Sequence, residues 1–181
     1  TANYTRSDTL SLPDARPIYC RKGDREDLDW FRASASMPLA ARIVEVGGYQ
    51  LLDGGISDSI PLKYLESVGY DRNVVILTQP MGYEKKKNKA LPLMKAAYSQ
   101  YPDLLKTMAR RQDVYNETTA YIREKERRGE VFVIRPEAAL KIKRVEHDRA
   151  KIQAVYDQGR AVARKRLPAL REFLQKEGKA T

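Results

Sequence analysis

The sequence predicts an α/β fold, and three patterns in its first half carry that prediction. Residues 42–55 have the alternating apolar residues and the central glycine pair of a β-hairpin. Residues 73–80, NVVILTQP, contain four consecutive apolar residues bounded by turn formers, which is typical of a strand buried on both faces of a parallel sheet. Residues 59–70 between them read as a short helix. A strand, a helix and a strand therefore follow in order across 49–79 and predict a βαβ unit.

The remaining elements follow from apolar spacing and from the positions of proline and glycine. They are a strand in 16–21, a helix in 24–42 that Met37-Pro38 ends or interrupts, a charged loop in 82–92, a helix in 102–129, a strand in 130–137, and a helix in 147–176 with a break or restart at Pro168. The sequence thus predicts that residues 81–181 are mainly helical, with one further strand near 131–135.

The composition indicates what class of protein the chain belongs to. The chain has 181 residues, of which 42% are hydrophobic and 32% charged, so one domain with a real core is expected. No apolar run approaches the roughly 20 residues of a membrane span. The single cysteine, Cys20, cannot form an internal disulfide and is expected to be a buried filler in a reducing, cytoplasmic protein. The first residue is Thr1 rather than Met, which suggests a processed or truncated start.

The positive charge is concentrated in the second part of the chain. Residues 1–80 carry 9 Lys and Arg against 11 Asp and Glu, whereas residues 81–181 carry 25 against 13. The net charges are therefore −2 and +12. Two interpretations stay open: solvated helix faces, or a basic surface that meets anionic lipid or nucleic acid. No nucleic-acid-binding motif is visible, so nucleic acid is not the expected partner.

Several kinds of chemistry are excluded by the residues present. One histidine, one cysteine and no clustered ligand spacing exclude a zinc site, and no glycine-rich phosphate loop is found, so no metal or cofactor is expected. His147, the sole histidine, lies in a charged stretch and is expected at the surface rather than in a catalytic triad.

Asp53 is the residue with the strongest case for a chemical role. It ends an apolar strand, and Gly54 and Gly55 after it allow other segments to approach closely. It is either the turn aspartate of a strand-to-helix connection or a general base for a serine nucleophile. The residues Ser57, Asp58 and Ser59 just before the next helix are expected to be caps.

The segment 32–62, RASASMPLAARIVEVGGYQLLDGGISDSIPL, resembles the bacterial branch of the patatin-like phospholipase family. The family's Ala-Ser segment with its following proline is matched by Ala35, Ser36 and Pro38. Its Asp-Gly-Gly motif is matched by Asp53, Gly54 and Gly55, and its N/D-x-[ILV]-P-[LIV] segment by the run Asp58-Ser59-Ile60-Pro61-Leu62. The continuation into the basic helices is also similar to bacterial members.

The resemblance implies the C-terminal part of a three-layer patatin-like fold with a mainly parallel sheet, followed by a basic helical extension. Residues 1–80 would be the end of the catalytic domain and residues 81–181 the basic region. It further implies a phospholipase or esterase without a cofactor. In that enzyme Asp53 takes the proton of a serine in a Gly-x-Ser-x-Gly elbow, and the serine forms an acyl-enzyme that water cleaves.

None of the chain's serines lies in a Gly-x-Ser-x-Gly sequence, and the family's oxyanion-hole segment is missing as well. We therefore expect the nucleophile to precede this chain in the same polypeptide, and we expect the 181 residues alone to be inactive. The expected partners are a lipid or ester substrate, the upstream part of the polypeptide and an anionic membrane surface. The alternative is a non-catalytic basic module that binds anionic membrane or nucleic acid through 84–89, 123–130 and 164–166.

Overall fold

The computed structural model describes residues 7–12, 15, 17–20, 27–143 and 145–175. It contains six strands and five α-helices within those residues. In chain order they are β1 (Ser7–Ser11), β2 (Pro17–Cys20), α1 (Asp27–Ser34), β3 (Val44–Val46), β4 (Tyr49–Asp53), α2 (Leu62–Ser67), β5 (Asn73–Ile76), α3 (Leu91–Ala97), α4 (Pro102–Arg127), β6 (Val131–Ile134) and α5 (Arg149–Gln175). A single 3-10 turn, Gly54–Ile56, follows β4. The prediction that the chain combines helices and strands is confirmed.

The chain forms two compact units that are discontinuous in sequence. The first contains residues 1–61 and 85–118, and the second contains residues 62–84 and 119–181. Each unit therefore combines parts of both sequence regions 1–80 and 81–181. The assignment of those regions to a catalytic domain and a basic extension stays a prediction.

The first unit is built on a four-stranded antiparallel sheet in the order β2-β1-β4-β3. Gly47 and Gly48 join β3 to β4 with φ values of 57° and 78°. Two successive residues with positive φ are what a tight hairpin turn requires, and glycine adopts that conformation without strain. The predicted hairpin and the predicted strand near 16–21 are confirmed.

Strand β4 supplies the core of this unit on both faces. Leu51 and Leu52 are completely buried, and because successive side chains of a strand point to opposite faces, they enter different clusters. Leu52 packs in a cluster that also contains Leu104 of α4, whereas Leu51 packs with Ala33 of α1. This burial fixes the end of β4, where Asp53 lies.

The sheet prediction is wrong in two respects. The largest sheet in the described part of the chain is antiparallel, so the sheet is not mainly parallel. The strand, helix and strand across 49–79 also do not form one βαβ unit, because β4 and β5 lie in different sheets. Instead β5 pairs in parallel with β6, from Asn73 opposite Val131 to Ile76 opposite Ile134. Local periodicity identified the strands but not their partners, which are distant in sequence.

The prediction that β5 is buried on both faces is also wrong. Val75 is buried, but Ile76 is 74% exposed, so the strand alternates between a covered and an open face. A short apolar run in the sequence does not show whether one face or both faces of the strand are covered, which explains the error.

Helix α5 continues through Pro168 without the predicted break. Pro168 is exposed, so water can hydrogen-bond the carbonyl that loses its N–H partner to the proline ring. The helix is anchored on β6 nearby. Phe173 lies 5.6 Å from Phe132 between ring centroids, and the Arg166 guanidinium lies over the same Phe132 ring at 4.6 Å. Among the helices of the described residues, none is long and apolar enough to cross a bilayer.

A charged network holds the last turns of α4 against α2 in the second unit. The Tyr121 hydroxyl donates to Glu66 at 2.6 Å, and the Lys125 ammonium lies 3.4 Å from Glu66 and 2.6 Å from Glu130. The hydrogen bond to the Glu66 carboxylate, together with burial, raises the pKa of Tyr121 above its ordinary value. The neutral phenol is therefore favoured in the folded state.

Replacing Tyr121 with Phe tests this network through its pH dependence. A raised phenol pKa stabilises the fold below about pH 10, and that contribution is lost as the pH rises through the folded-state pKa. We expect Tyr121→Phe to lower the free energy of unfolding by about 1 kcal/mol at pH 8. The difference from wild type should shrink above pH 10, as measured by urea unfolding. Tyr49→Phe, at the exposed start of β4, is the control and should show no such convergence; a pH-independent difference for Tyr121→Phe would contradict the account.

Candidate functional site

Asp53 lies at the end of β4, where the strand passes into the 3-10 turn. Its backbone is held on both sides: it is paired opposite Thr9 of β1, and its N–H donates to the Ser36 carbonyl at 2.9 Å. Ser36 and Asp53 belong to two separate parts of the family-like pattern, and the structure brings their backbones into contact. The position of the aspartate is therefore set by main-chain bonds and not only by its own side chain.

The Asp53 carboxylate is partly buried and caps the turn that follows it. Oδ1 accepts a hydrogen bond from the Gly55 N–H at 2.8 Å. Within the residues that the structure describes, Oδ2 accepts no hydrogen bond. The turn role foreseen for Asp53 is thus confirmed, and one carboxylate oxygen is left over for another partner. The general-base role stays a prediction.

The space beside Gly55 is limited. A Cβ atom at this position would lie 3.0 Å from Asp53 Oδ1 and 3.7 Å from Arg111 Nη2. Contacts of 3.0 Å are tighter than ordinary carbon–oxygen packing, so a side chain would displace the carboxylate. Gly54 is buried, and its carbonyl accepts the N–H groups of Ser57 and Asp58, both at 3.0 Å. The two glycines let the chain turn close to the carboxylate while its backbone stays hydrogen-bonded.

Arg111 of α4 completes the turn and was not identified from the sequence. Its Nε donates to the Gly55 carbonyl at 2.8 Å, and the Ser59 hydroxyl donates to the same carbonyl at 2.6 Å. The residue is partly buried although it lies in a helix rich in charge. No local signal distinguishes it from the adjacent Arg110, because only the fold brings residue 111 next to residue 55.

The two serines before α2 act differently from the prediction. Ser57 Oγ donates to the Gly54 carbonyl at 3.2 Å, and Ser59 Oγ donates to the Gly55 carbonyl. Both hydroxyls therefore bond carbonyls of the Asp-Gly-Gly turn, and the expectation that they cap the N–H groups of a helix is wrong. Ser57 does end the 3-10 turn through its own N–H.

Ser36, whose carbonyl accepts the Asp53 N–H, is not arranged as a nucleophile. Ser36 is 3% exposed, and its hydroxyl donates to the Arg32 carbonyl at 2.7 Å. A buried hydroxyl that bonds its own helix is a structural group. The existence and location of a partner serine for Asp53 stay a prediction.

The other predicted residues contribute nothing to this site. His147 is exposed, as predicted, and its backbone N–H donates to the Glu146 carboxylate. Across the described ranges, no group of three or more His, Cys, Asp and Glu residues could hold a metal ion. The side chain of Cys20 and the start at Thr1 lie outside the described residues, so neither expectation is tested.

Some of the basic residues form ion pairs within the protein. Arg127 and Arg128 both pair with Glu124 at 2.8 Å, and these hydrogen bonds lower the pKa of the Glu124 carboxyl to about 2. Lys165 pairs with Glu137 at 2.6 Å. These pairs are exposed, so each is worth little energetically, but they reduce the charge available to an external anion. A membrane partner for the basic segments stays a prediction.

Comparison with known proteins adds one finding. Residues 101–175 match the model of a family described as a domain of unknown function, DUF6363. The match covers α4, β6 and α5, and it does not include Asp53. No curated protein matches the chain.

Substitution of Arg111 tests its hold on the turn. We expect Arg111→Gln to lower the free energy of unfolding by about 1–2 kcal/mol, because a charge-assisted hydrogen bond to the Gly55 carbonyl is lost. Arg110→Gln is the matched control, since Arg110 is exposed on the same helix, and should change stability by less than about 0.5 kcal/mol. Urea unfolding measures both variants, and equal effects would show that the contact with Gly55 carries no special weight.

Proposed function

We propose that this chain is the C-terminal part of a serine hydrolase that cleaves the ester bonds of lipids, and that Asp53 is its general base. The observation that carries the proposal is the state of the Asp53 carboxylate. One oxygen is fixed by the Gly55 N–H at 2.8 Å, while the other accepts no hydrogen bond from the described residues. A base needs both an oriented side chain and an open lone pair, and this residue has both.

The resemblance of residues 32–62 to bacterial patatin-like phospholipases supports the same role. The nucleophile is then a serine in a Gly-x-Ser-x-Gly elbow, in a segment of the polypeptide that precedes this chain. The geometry on the Asp53 side adds physical support, because the close approach of Gly55 and the backbone bond to Ser36 hold the carboxylate in one orientation. Preorganised groups of this kind lose no energy to reorientation during the reaction.

The proposed reaction has two steps in which Asp53 carries the proton. In the first, Asp53 Oδ2 accepts the hydroxyl proton of the serine as its oxygen attacks the ester carbonyl. The protonated carboxyl then gives that proton to the leaving alcohol, and the acyl group stays on the serine. In the second, Asp53 takes a proton from water, the hydroxide attacks the acyl-enzyme, and the proton returns to the serine as the fatty acid leaves.

The Gly55 N–H donates to the Asp53 carboxylate and so orients it. Arg111 acts on the carboxylate indirectly, because its guanidinium donates to the Gly55 carbonyl. We therefore regard Arg111 as a positioning residue for the turn and not as a catalytic one.

The test is the isosteric substitution Asp53→Asn in the intact polypeptide. The amide keeps an oxygen that can accept the Gly55 N–H, so the turn should persist while the basicity is removed. We expect kcat for hydrolysis of a lipid ester to fall by about 10²- to 10⁴-fold, with the thermal midpoint little changed. Asp71→Asn, at an exposed aspartate, is the control and should keep the wild-type rate. An unchanged rate in Asp53→Asn would exclude the base role.

A further inference from the structure

A pocket of about 580 Å³ lies in the first unit, between the segment that precedes α3, the start of α3 and one face of α4. This volume falls in the range of small-molecule sites in proteins. The lining contains no residue of the Asp-Gly-Gly turn. The residues that matter for its chemistry are Lys87, Lys89, Leu91, Met108, Gln112 and Asp113.

Gln112 is a buried polar residue in the lining of the pocket. The residue is 7% exposed, and its Nε2 donates to the Asp113 carboxylate at 3.0 Å. This bond fixes which end of the amide is the oxygen. In the described part of the chain no group donates to Gln112 Oε1. Buried acceptors are rarely left without a donor, so the site favours a ligand that brings a hydroxyl or an N–H group.

Lys87 and Lys89 place two cations at the same pocket. Both side chains are exposed, and no salt bridge to either ammonium occurs among the residues described. They outnumber the Asp113 carboxylate, so the lining has a net positive charge. Two lysines two residues apart on one chain segment suit a phosphate group, which offers several acceptor oxygens and up to two negative charges.

Apart from Asn88, the remaining lining is apolar. Leu91 is partly buried, and Met108 is 3% exposed and belongs to the core cluster of the first unit. Methionine side chains adapt to irregular apolar ligands because they are flexible and polarisable. The apolar part of the lining therefore suits an alkyl chain next to the phosphate.

We propose that this pocket binds a single-chain phospholipid of the lysophosphatidic acid type. The phosphate lies between Lys87 and Lys89, the free glycerol hydroxyl donates to Gln112 Oε1, and the first carbons of the acyl chain pack on Leu91 and Met108. This assignment goes beyond the hydrolase function and does not depend on it, because no step of it uses Asp53. It names a binding site separate from the proposed reaction centre.

Calorimetric titration of the full chain carrying Asp53→Asn tests the proposal, since turnover of a ligand is strongly slowed in that variant if the hydrolase proposal is right. The probes are dodecanoyl lysophosphatidic acid below its micelle concentration, glycerol 3-phosphate, dodecyl phosphate and dodecanoate. We expect the lysophospholipid to bind at least about tenfold more tightly than each of the other three, which lack the chain, the hydroxyl and the phosphate headgroup respectively. Equal affinity of glycerol 3-phosphate would overturn the proposal, as it would indicate a site for free phosphate esters.

Variants then assign each contact. The double substitution Lys87→Ala/Lys89→Ala should weaken lysophospholipid binding by at least about tenfold. Lys86→Ala/Lys95→Ala removes the same charge from exposed positions outside the pocket and should change affinity by less than about twofold. An equal loss in both doubles would mean general electrostatic attraction and would overturn the site.

Gln112→Leu is measured with two ligands, so that a loss of the hydroxyl contact can be distinguished from a loss of folding. It removes the acceptor but keeps the approximate volume, so affinity for lysophosphatidic acid should fall by about fivefold or more while affinity for dodecyl phosphate stays the same. If both affinities fall together in a variant that remains folded, the contact with the hydroxyl is wrong. If the variant does not fold, the comparison of lysophosphatidic acid with dodecyl phosphate on the Gln112 protein decides the same point, and equal affinity there refutes it.

Discussion

The short hydrogen bond between the Asp53 carboxylate and the Gly55 N–H is the constraint on which the candidate site depends. It closes the turn after β4, where a Cβ atom at residue 55 would crowd Asp53 Oδ1 at 3.0 Å. The buried Leu52 fixes the strand before the turn, and Arg111 bonds the carbonyl after it. Because the chain is held on both sides of Asp53, the backbone of this residue cannot shift to reorient the carboxylate. Its orientation is thus a property of the fold, which is what a general base requires.

Local features of the fold could be predicted from the sequence because their causes are local. The glycine pair at 47–48 adopts without strain the positive φ values of a tight turn, and the apolar spacing of α4 and α5 is that of long helices. Sheet pairing could not be predicted in the same way. The partner of β5 is β6, more than fifty residues further along the chain, with α3 and α4 between them. A four-residue apolar run carries no information about which strand will lie beside it or which face will stay open.

The same distinction applies to the site. Asp53 could be identified because both its role in the turn and its family-like motif depend on adjacent residues. Arg111 could not, since its role arises from a contact across 56 residues of sequence. Gln112 is comparable, because a glutamine in a charged helix looks solvent-exposed until the packing of α4 buries it. Residues whose role depends on tertiary contacts carry no sequence signal in a single chain.

The central claim is that Asp53 forms a catalytic pair with a serine outside these 181 residues. Covalent labelling of the intact polypeptide with a fluorophosphonate, followed by peptide mass spectrometry, tests it most directly because the probe reports the activated serine itself. The account predicts one labelled serine, in a Gly-x-Ser-x-Gly sequence that precedes Thr1, and a labelling rate that falls by about 10²-fold or more in Asp53→Asn. Labelling at one of the eight serines of this chain, or an equal rate in the variant, would contradict it.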